Sequence, residues 1–303
     1  MPELPEVETI RRDLSESLIG RRFNKIKILG GSSVRSVQKS FVKQLRGVEI
    51  KSIERRGKLL IFNFNKTNKH LMVHLKMTGQ LIHTEGAKVL SGGYSLAKLK
   101  NGLAFEQSEG SELRHQAKEL PNTWTRVQFG LDDGSQLFFN DIRRFGFLKI
   151  VDTKEKEETF GYYGIEPLTS DFTAENFRKI FKGRTTSLKA LLLNQQLVAG
   201  LGNIYVDEIC FFAGVRPLRR VNRLTKKEIN KLHEGSEVII AAALENRGTS
   251  FSDYRDAKGG KGTNQMSLKV YGRGGKPCVL CGEIIVKVKL AGRGTSYCRK
   301  CQK

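Results

Sequence analysis

The stretch Val127-Gln128-Phe129-Gly130-Leu131-Asp132-Asp133-Gly134-Ser135-Gln136-Leu137-Phe138-Phe139 holds two apolar runs around a turn signal. Asp132-Asp133-Gly134 tolerates the left-handed backbone of a hairpin turn, so 127–131 and 137–139 read as antiparallel strands. The same short pattern extends outward, upstream at 25–29, 48–53, 59–64, 71–75 and 103–105, and downstream at 145–151. Many short strands with turn signals between them predict a β-sandwich. Residues 84–123 are polar and less regular, and read as a hairpin plus a loop.

Different textures flank this block. Val7, Ile10, Leu14 and Leu18 recur at three- and four-residue steps, the mark of an amphipathic helix ending at Gly20. After Asp152 the charged run 153–158 and Pro167 mark a linker, and 171–182, 187–194, 206–213 and 225–246 read as helices. Gly200-Leu201-Gly202-Asn203 is a tight turn feeding a helix; its N–H groups can hold a phosphate, or it is an ordinary packing corner. Residues 251–267, rich in Gly, Lys, Asp and Ser, read as a mobile loop. The expected class is α+β. Residues 1–152 form a helix and β-sandwich domain, 153–170 a linker or hinge, 171–267 a helical domain that includes the 251–267 loop, and 268–303 a metal module.

That module rests on Cys278-Val279-Leu280-Cys281 and Cys298-Arg299-Lys300-Cys301, two C-x2-C pairs separated by sixteen residues. The spacing suits one structural zinc, and four thiolates leave no open position for a catalytic water. A pair of disulfides is the alternative, less suited to a two-residue gap. Between the pairs, 284–290 alternate apolar and basic residues, and Ala291-Gly292-Arg293-Gly294-Thr295 is a glycine-flanked turn. This predicts a β-hairpin presenting Arg293 at its tip. Cys210, within Ile209-Cys210-Phe211-Phe212, reads as a small buried hydrophobe.

A chain of 303 residues with 39% hydrophobic residues supports two domains with real cores. Its net charge of +22 points to a polyanion, nucleic acid before acidic membrane. Residues 251–303 alone carry twelve Lys/Arg against three Asp/Glu. No apolar stretch is long enough to span a bilayer, and charged residues interrupt 3–22, so no signal peptide and a cytosolic location are expected.

The other end of the chain carries the chemistry. Removal of Met1 from Met1-Pro2-Glu3-Leu4-Pro5-Glu6-Val7-Glu8 would leave Pro2 as a free secondary amine. An α-amino group titrates near ~7.7–8.0, so part of it is unprotonated at neutral pH and can attack a sugar carbon to give an iminium ion. Glu3 beside it can act as acid or base. Alone, the segment would read as a proline near a helix start, with glutamates complementing the dipole.

Several motifs together make the chain resemble the formamidopyrimidine-DNA glycosylases of base-excision repair. They are Pro2-Glu3-Leu4-Pro5-Glu6-Val7-Glu8, Arg56-Gly57-Lys58, His74-Leu75-Lys76-Met77-Thr78-Gly79, Asp141-Ile142-Arg143-Arg144-Phe145-Gly146, Gly200-Leu201-Gly202-Asn203-Ile204-Tyr205, Val270-Tyr271-Gly272-Arg273 and the cysteine segment with Gly292-Arg293-Gly294-Thr295. The resemblance covers nearly the whole chain. It implies a helix-two-turn-helix in the helical domain and a bacterial, nucleoid-associated monomer whose partner is double-stranded DNA containing oxidised purines such as 8-oxoguanine and formamidopyrimidines.

It implies a glycosylase with abasic-site lyase activity, in which Pro2 attacks C1′, Glu3 donates a proton and β,δ-elimination follows. Lys58 would sit by the lesion and its phosphate. Met77, Arg143 and Phe145 would enter the duplex as the damaged nucleotide leaves the stack. His74, Asn203 and Arg293 would contact phosphates. Lys189 matches a lysine usual in the family. Without the resemblance, Met77 and Phe145 would default to sandwich core and Arg143 to a surface cation. The chain departs at Thr78, where some members carry a glutamate that touches the flipped base, and at Arg126, where many carry a histidine near the DNA backbone; Arg126 remains a candidate phosphate contact. Enzymes for oxidised pyrimidines, resembling endonuclease VIII, typically begin Pro-Glu-Gly-Pro-Glu, so Leu4, Met77 and Phe145 favour the purine enzyme. A non-catalytic zinc protein would not need Pro2, Glu3 and Lys58, and an RNA binder would need stacking platforms.

Overall fold

The computed structural model describes residues 1–86, 88–94, 120–249, 254–255 and 262–303. The chain divides into two compact units. The first is Met1–Phe160 with Asn246–Thr263, and the second is Gly161–Glu245 with Asn264–Lys303.

In the first unit, helix α1 (Leu4–Leu18) leads into strand β1 (Phe23–Ile28) and helix α2 (Gln38–Leu45). Strands β2 (Ile50–Arg56), β3 (Leu59–Phe64), β4 (Lys69–His74), β5 (Gly79–Glu85) and β6 (Lys88–Tyr94) follow. Then come β7 (Thr125–Leu131), β8 (Gln136–Asp141), β9 (Phe147–Asp152) and helix α3 (Thr153–Tyr162). The short β10 (Tyr254–Arg255) pairs with β6. The strands form two antiparallel sheets, β1-β7-β8-β5-β6-β10 and β2-β3-β4-β9. Val7, Ile10, Leu14 and Leu18 of α1 join Phe23, Phe62, Leu81, Phe129 and Phe139 in one core. Each such side chain contributes about 1.5–3 kcal/mol on leaving water. The 127–139 hairpin forms as expected, with Gly134 at φ +85°.

The strand order places the site. β4 and β9 pair in one sheet, β5 and β8 in the other. The chain therefore crosses between sheets twice at the same place, at 75–78 and at 142–146. His74↔Phe147 and Gly79↔Asp141 are the flanking register pairs.

The second unit holds α4 (Ala174–Lys179), α5 (Leu188–Leu193), α6 (Asn203–Phe212), α7 (Lys226–Glu245) and a hairpin of β11 (Val286–Leu290) and β12 (Arg293–Tyr297). Thr173 and Ser187 cap α4 and α5, accepting N–H bonds from Asn176 and Ala190.

Three features differ from the reading of the sequence alone. The linker begins as helix α3, although none of its residues is buried, as suits a charged surface segment. Helix α2 was not anticipated; only Phe41 and Leu45 mark its buried face. Residues 246–263 group with the first unit rather than with the helices, because Thr249 and β10 bond there. The expected strand 103–105 lies outside the described residues, as do the 95–119 part of the 84–123 reading and most of the expected mobile loop.

Candidate nucleic-acid interface and metal centre

Pro2 and Glu3 are buried immediately ahead of α1. Glu3 and Glu6 form a reciprocal capping box, with the Glu3 N–H donating to Glu6 Oε2 at 2.8 Å. Glu6 Oε1 accepts the Thr249 N–H at 2.8 Å, so one buried carboxylate ties the helix start to residue 249. Further along α1, Glu8 pairs with Arg11, Arg12 and Arg55 at 2.8–3.0 Å. Burial pushes its carboxyl up, but hydrogen bonds and charge from Arg11 and Arg55 prevail and hold it at about 2.

Lys58 is buried in the two-residue turn between β2 and β3, where Gly57 has φ +56° and Arg55 Nη1 donates to the Gly57 carbonyl at 2.9 Å. Leu59 is the register partner of His74, and Lys58 lies close enough for its charge to act on that imidazole. His74 Nδ1 accepts the Lys76 N–H at 3.0 Å, which leaves the ring proton on Nε2. Burial first, then the cations Lys76, Lys58 and Arg35, push His74 down to about 3. It is neutral at physiological pH, a hydrogen-bond donor rather than a cation.

The two crossovers carry Met77, Arg143 and Phe145. The core reading fails for both apolar residues: Met77 is 38% exposed and Phe145 56%. Arg143 is exposed too, and its Nη1 lies 3.7 Å from Met77 Sδ. Arg126 is the opposite case. Expected at a phosphate, it is 5% exposed and donates from Nε to the Asp141 carbonyl at 2.8 Å. It is a strut beneath the second crossover.

In the second unit, α6 begins at Asn203 after the Gly200–Gly202 turn. The Gln195 side chain staples that turn, accepting the Gly200 N–H at 2.9 Å and donating to the Leu201 carbonyl at 2.8 Å. Arg293 stands exposed beside the hairpin turn, where Ala291 and Gly292 have φ +49° and +71°. Behind it, Asn203 Nδ2 and Lys189 Nζ both donate to the Gly294 carbonyl, at 3.0 and 3.1 Å. Lys189 is fully buried in an ion pair with Asp207 at 2.6 Å, and Asp207 also accepts the Ser296 N–H at 2.8 Å. Burial outweighs the lysine and pushes Asp207 up to about 6. Glu208 accepts three consecutive N–H groups, from Lys269, Val270 and Tyr271.

The sulfurs of Cys278, Cys281, Cys298 and Cys301 lie within 4.8 Å of one another, with Cys278–Cys301 at 3.9 Å and Cys281–Cys298 at 3.5 Å. A tetrahedron with Zn–S bonds of ~2.3 Å has edges of about 3.8 Å, so the cluster fits one structural zinc. It is the metal-ligating group of this kind among the described residues. Gln302 supports it, accepting the Cys298 N–H at 2.8 Å and donating to the Val215 carbonyl at 2.9 Å. Lys303 pairs on both sides, N–H to Gly214 and carbonyl from Arg216.

Three family descriptions match in chain order: the formamidopyrimidine-DNA glycosylase N-terminal domain over residues 1–148, its H2TH domain over 163–255, and the zinc finger found in FPG and IleRS over 275–303. The formamidopyrimidine-DNA glycosylase of Desulfitobacterium hafniense is 39% identical over 305 residues and covers all of both chains. The chain belongs to the formamidopyrimidine-DNA glycosylase family.

Solved structures of the family agree. The Lactococcus lactis Fpg in complex with an abasic site containing DNA aligns with TM-score 0.82 and 33% identity over 99% of each chain. The wild-type Lactococcus lactis Fpg with an N7-benzyl-Fapy-dG containing DNA aligns with TM-score 0.81 and 33% identity over 100% of each. In this glycosylase-family chain, Glu6, Asp141, Asp207, Glu208 and Gln302 are buried polar residues whose supporting roles sequence reasoning missed. Two of them, Glu6 and Asp141, lay within the motifs that carried the resemblance. No helix among the described residues is long and apolar enough to cross a membrane.

Proposed function

We propose that this protein excises oxidised purines from duplex DNA through a Schiff base on Pro2, once Met1 is removed. Family membership makes it a DNA-repair glycosylase with abasic-site lyase activity, with DNA as its partner and one structural zinc. The proposal adds the substrate, the nucleophile, the residues and a monomeric state. The observation that carries it is the exposure of Met77 and Phe145 at adjacent crossovers, with the Arg143 guanidinium against Met77. An arginine is ordinarily exposed, but two large hydrophobes left to solvent on adjacent crossovers gain nothing from packing there. A protein that must fill the vacancy of an extruded nucleotide has a use for them.

The Pro2 amine would form a bond to C1′ as the bond to the damaged base breaks. Glu3 would protonate the ring oxygen, so that the sugar opens to an iminium ion and its 3′ and then 5′ phosphates are expelled in turn. Lys58, neutral His74, Asn203 and Arg293 would hold phosphates, and Arg143 would read the opposite base through the acceptors of cytosine.

Borohydride trapping on an 8-oxoguanine:C duplex, followed by intact-mass analysis, tests the chemistry. We expect an adduct on Pro2, lost in Pro2→Gly. Glu3→Gln should slow base release by about 100-fold while sparing cleavage of a preformed abasic site more. An adduct elsewhere, or full activity with Met1 retained, would remove Pro2 from the mechanism.

A further inference from the structure

The Thr78 side chain is turned inward and engaged. Its hydroxyl donates to Asp141 Oδ1 and accepts the Arg143 N–H at 3.1 Å. The same Arg143 N–H reaches Asp141 Oδ1 at 3.2 Å, and the Gly146 N–H donates to Oδ2 at 2.7 Å. Thr78 and Asp141 are both buried. The turn leaves no slack: Arg144 has φ +58°, and a Cβ on Gly146 would lie 3.0 Å from Asp141 Oδ2. One carboxylate thus gathers bonds from both crossovers, and the Thr78 hydroxyl is the link from the Met77 crossover to the Arg143 backbone.

We infer that Thr78 is a specificity-determining positioning residue, which sets the reach of Arg143 toward the base opposite the lesion rather than touching the lesion itself. A hydroxyl is suited to this because it donates and accepts at once. A carboxylate at 78 could accept the Arg143 N–H but, ionised, would have no proton for Asp141 and would repel it. With Arg143 held from its own backbone, the guanidinium projects from a fixed origin beside Met77, and small errors in that origin are magnified along a long side chain. Selectivity between opposite bases, which depends on hydrogen-bond geometry at the guanidinium, is then the property most sensitive to Thr78.

The inference rests on the proposed reading of Arg143, and the test separates the two. Single-turnover excision rates are measured for 8-oxoguanine opposite C and opposite A with the wild type, Thr78→Ser, Thr78→Val and Arg143→Ala. Cleavage of a preformed abasic site serves as the check on folding and chemistry. Thr78→Ser keeps the hydroxyl and should retain the C-over-A ratio within about twofold, whereas Thr78→Val should lower it about tenfold, the worth of one good hydrogen bond. If Arg143→Ala leaves the ratio intact, the reading of Arg143 fails and the inference falls with it. If Arg143→Ala collapses the ratio while Thr78→Val preserves it, the inference alone is overturned. A uniform loss of rate in Thr78→Val, abasic-site cleavage included, at an unchanged ratio would also overturn it and leave Thr78 a purely structural residue.

Discussion

The carboxylate of Glu6 spans Glu3 and Thr249, 243 residues apart from Glu6 in sequence on the far side, through two backbone N–H bonds of 2.8 Å. Gly248 makes that approach possible: it has φ +83°, and a Cβ there would lie 2.8 Å from Glu6 Oε1. Glu6→Gln can satisfy only one of the two donors and turns an amide N–H toward the other. We expect a loss of about 2 kcal/mol, read as a fall in Tm of about 4–8 °C for a unit of this size. Gly248→Ala should cost at least as much. A Glu6→Gln protein that melts with the wild type would show the two bonds to be dispensable.

Acid should weaken the first unit through Glu8. Its folded carboxyl is held at about 2, below the ordinary 4.5. A depressed pKa contributes stability that is complete above the unfolded value and is lost as pH falls from ~4.5 toward ~2. The full shift corresponds to about 3 kcal/mol. Urea titrations at pH 6 and pH 3 should show a smaller acid loss in Glu8→Gln than in wild type. Parallel losses in the two proteins would count against the Arg11–Glu8–Arg55 cluster as the acid-sensitive element.

The Lys189–Asp207 pair should behave as a buried ion pair. Lys189→Met strands Asp207 without its cation and leaves the Gly294 carbonyl to Asn203 alone, at a cost of about 3–5 kcal/mol. Lys189→Met with Asp207→Leu should recover part of it. Hydrogen exchange at Gly294 and Ser296 reports the hairpin directly, and unchanged protection there in Lys189→Met would dissociate the pair from the hairpin.

His74 and Arg293 should separate by salt and pH. Neutral His74 releases no counterion, so His74→Gln should leave the slope of log K against log salt unaltered, whereas Arg293→Ala should reduce it by about 0.9. The His74 ring should show no titration between pH 5 and 8 by NMR. A midpoint near 6.5 would instead make it a cationic phosphate contact.

What could be read in advance follows the range of the interactions involved. The 127–139 hairpin, α1 and the cysteine pairs announce themselves through spacing within a few residues. Helix α2 has only Phe41 and Leu45 to betray it, and strand β5 is buried at every position from Gly79 to His83, so neither shows clean periodicity. Arg126 illustrates the limit at single positions: nothing local tells that its Nε will be held by the Asp141 carbonyl. Thr78, Asp207 and Gln302 take their meaning from groups 60 to 90 residues away, and a lone polar residue carries no local sign that it will be buried.

The backbone pairing of Lys303 and the anchoring of Gln302 bear on how the protein is handled at the bench. Shortening the chain by two residues would take away the acceptor for the Cys298 N–H and four bonds to the 214–216 segment, loosening one knuckle of the metal site. At the opposite end, any leader left attached would convert the Pro2 nitrogen to an amide. If Pro2 is the nucleophile proposed above, an affinity handle for purification belongs either beyond an intact Lys303 or on a removable leader that leaves proline first, and yields of soluble material alone would be a poor guide to whether the preparation is competent.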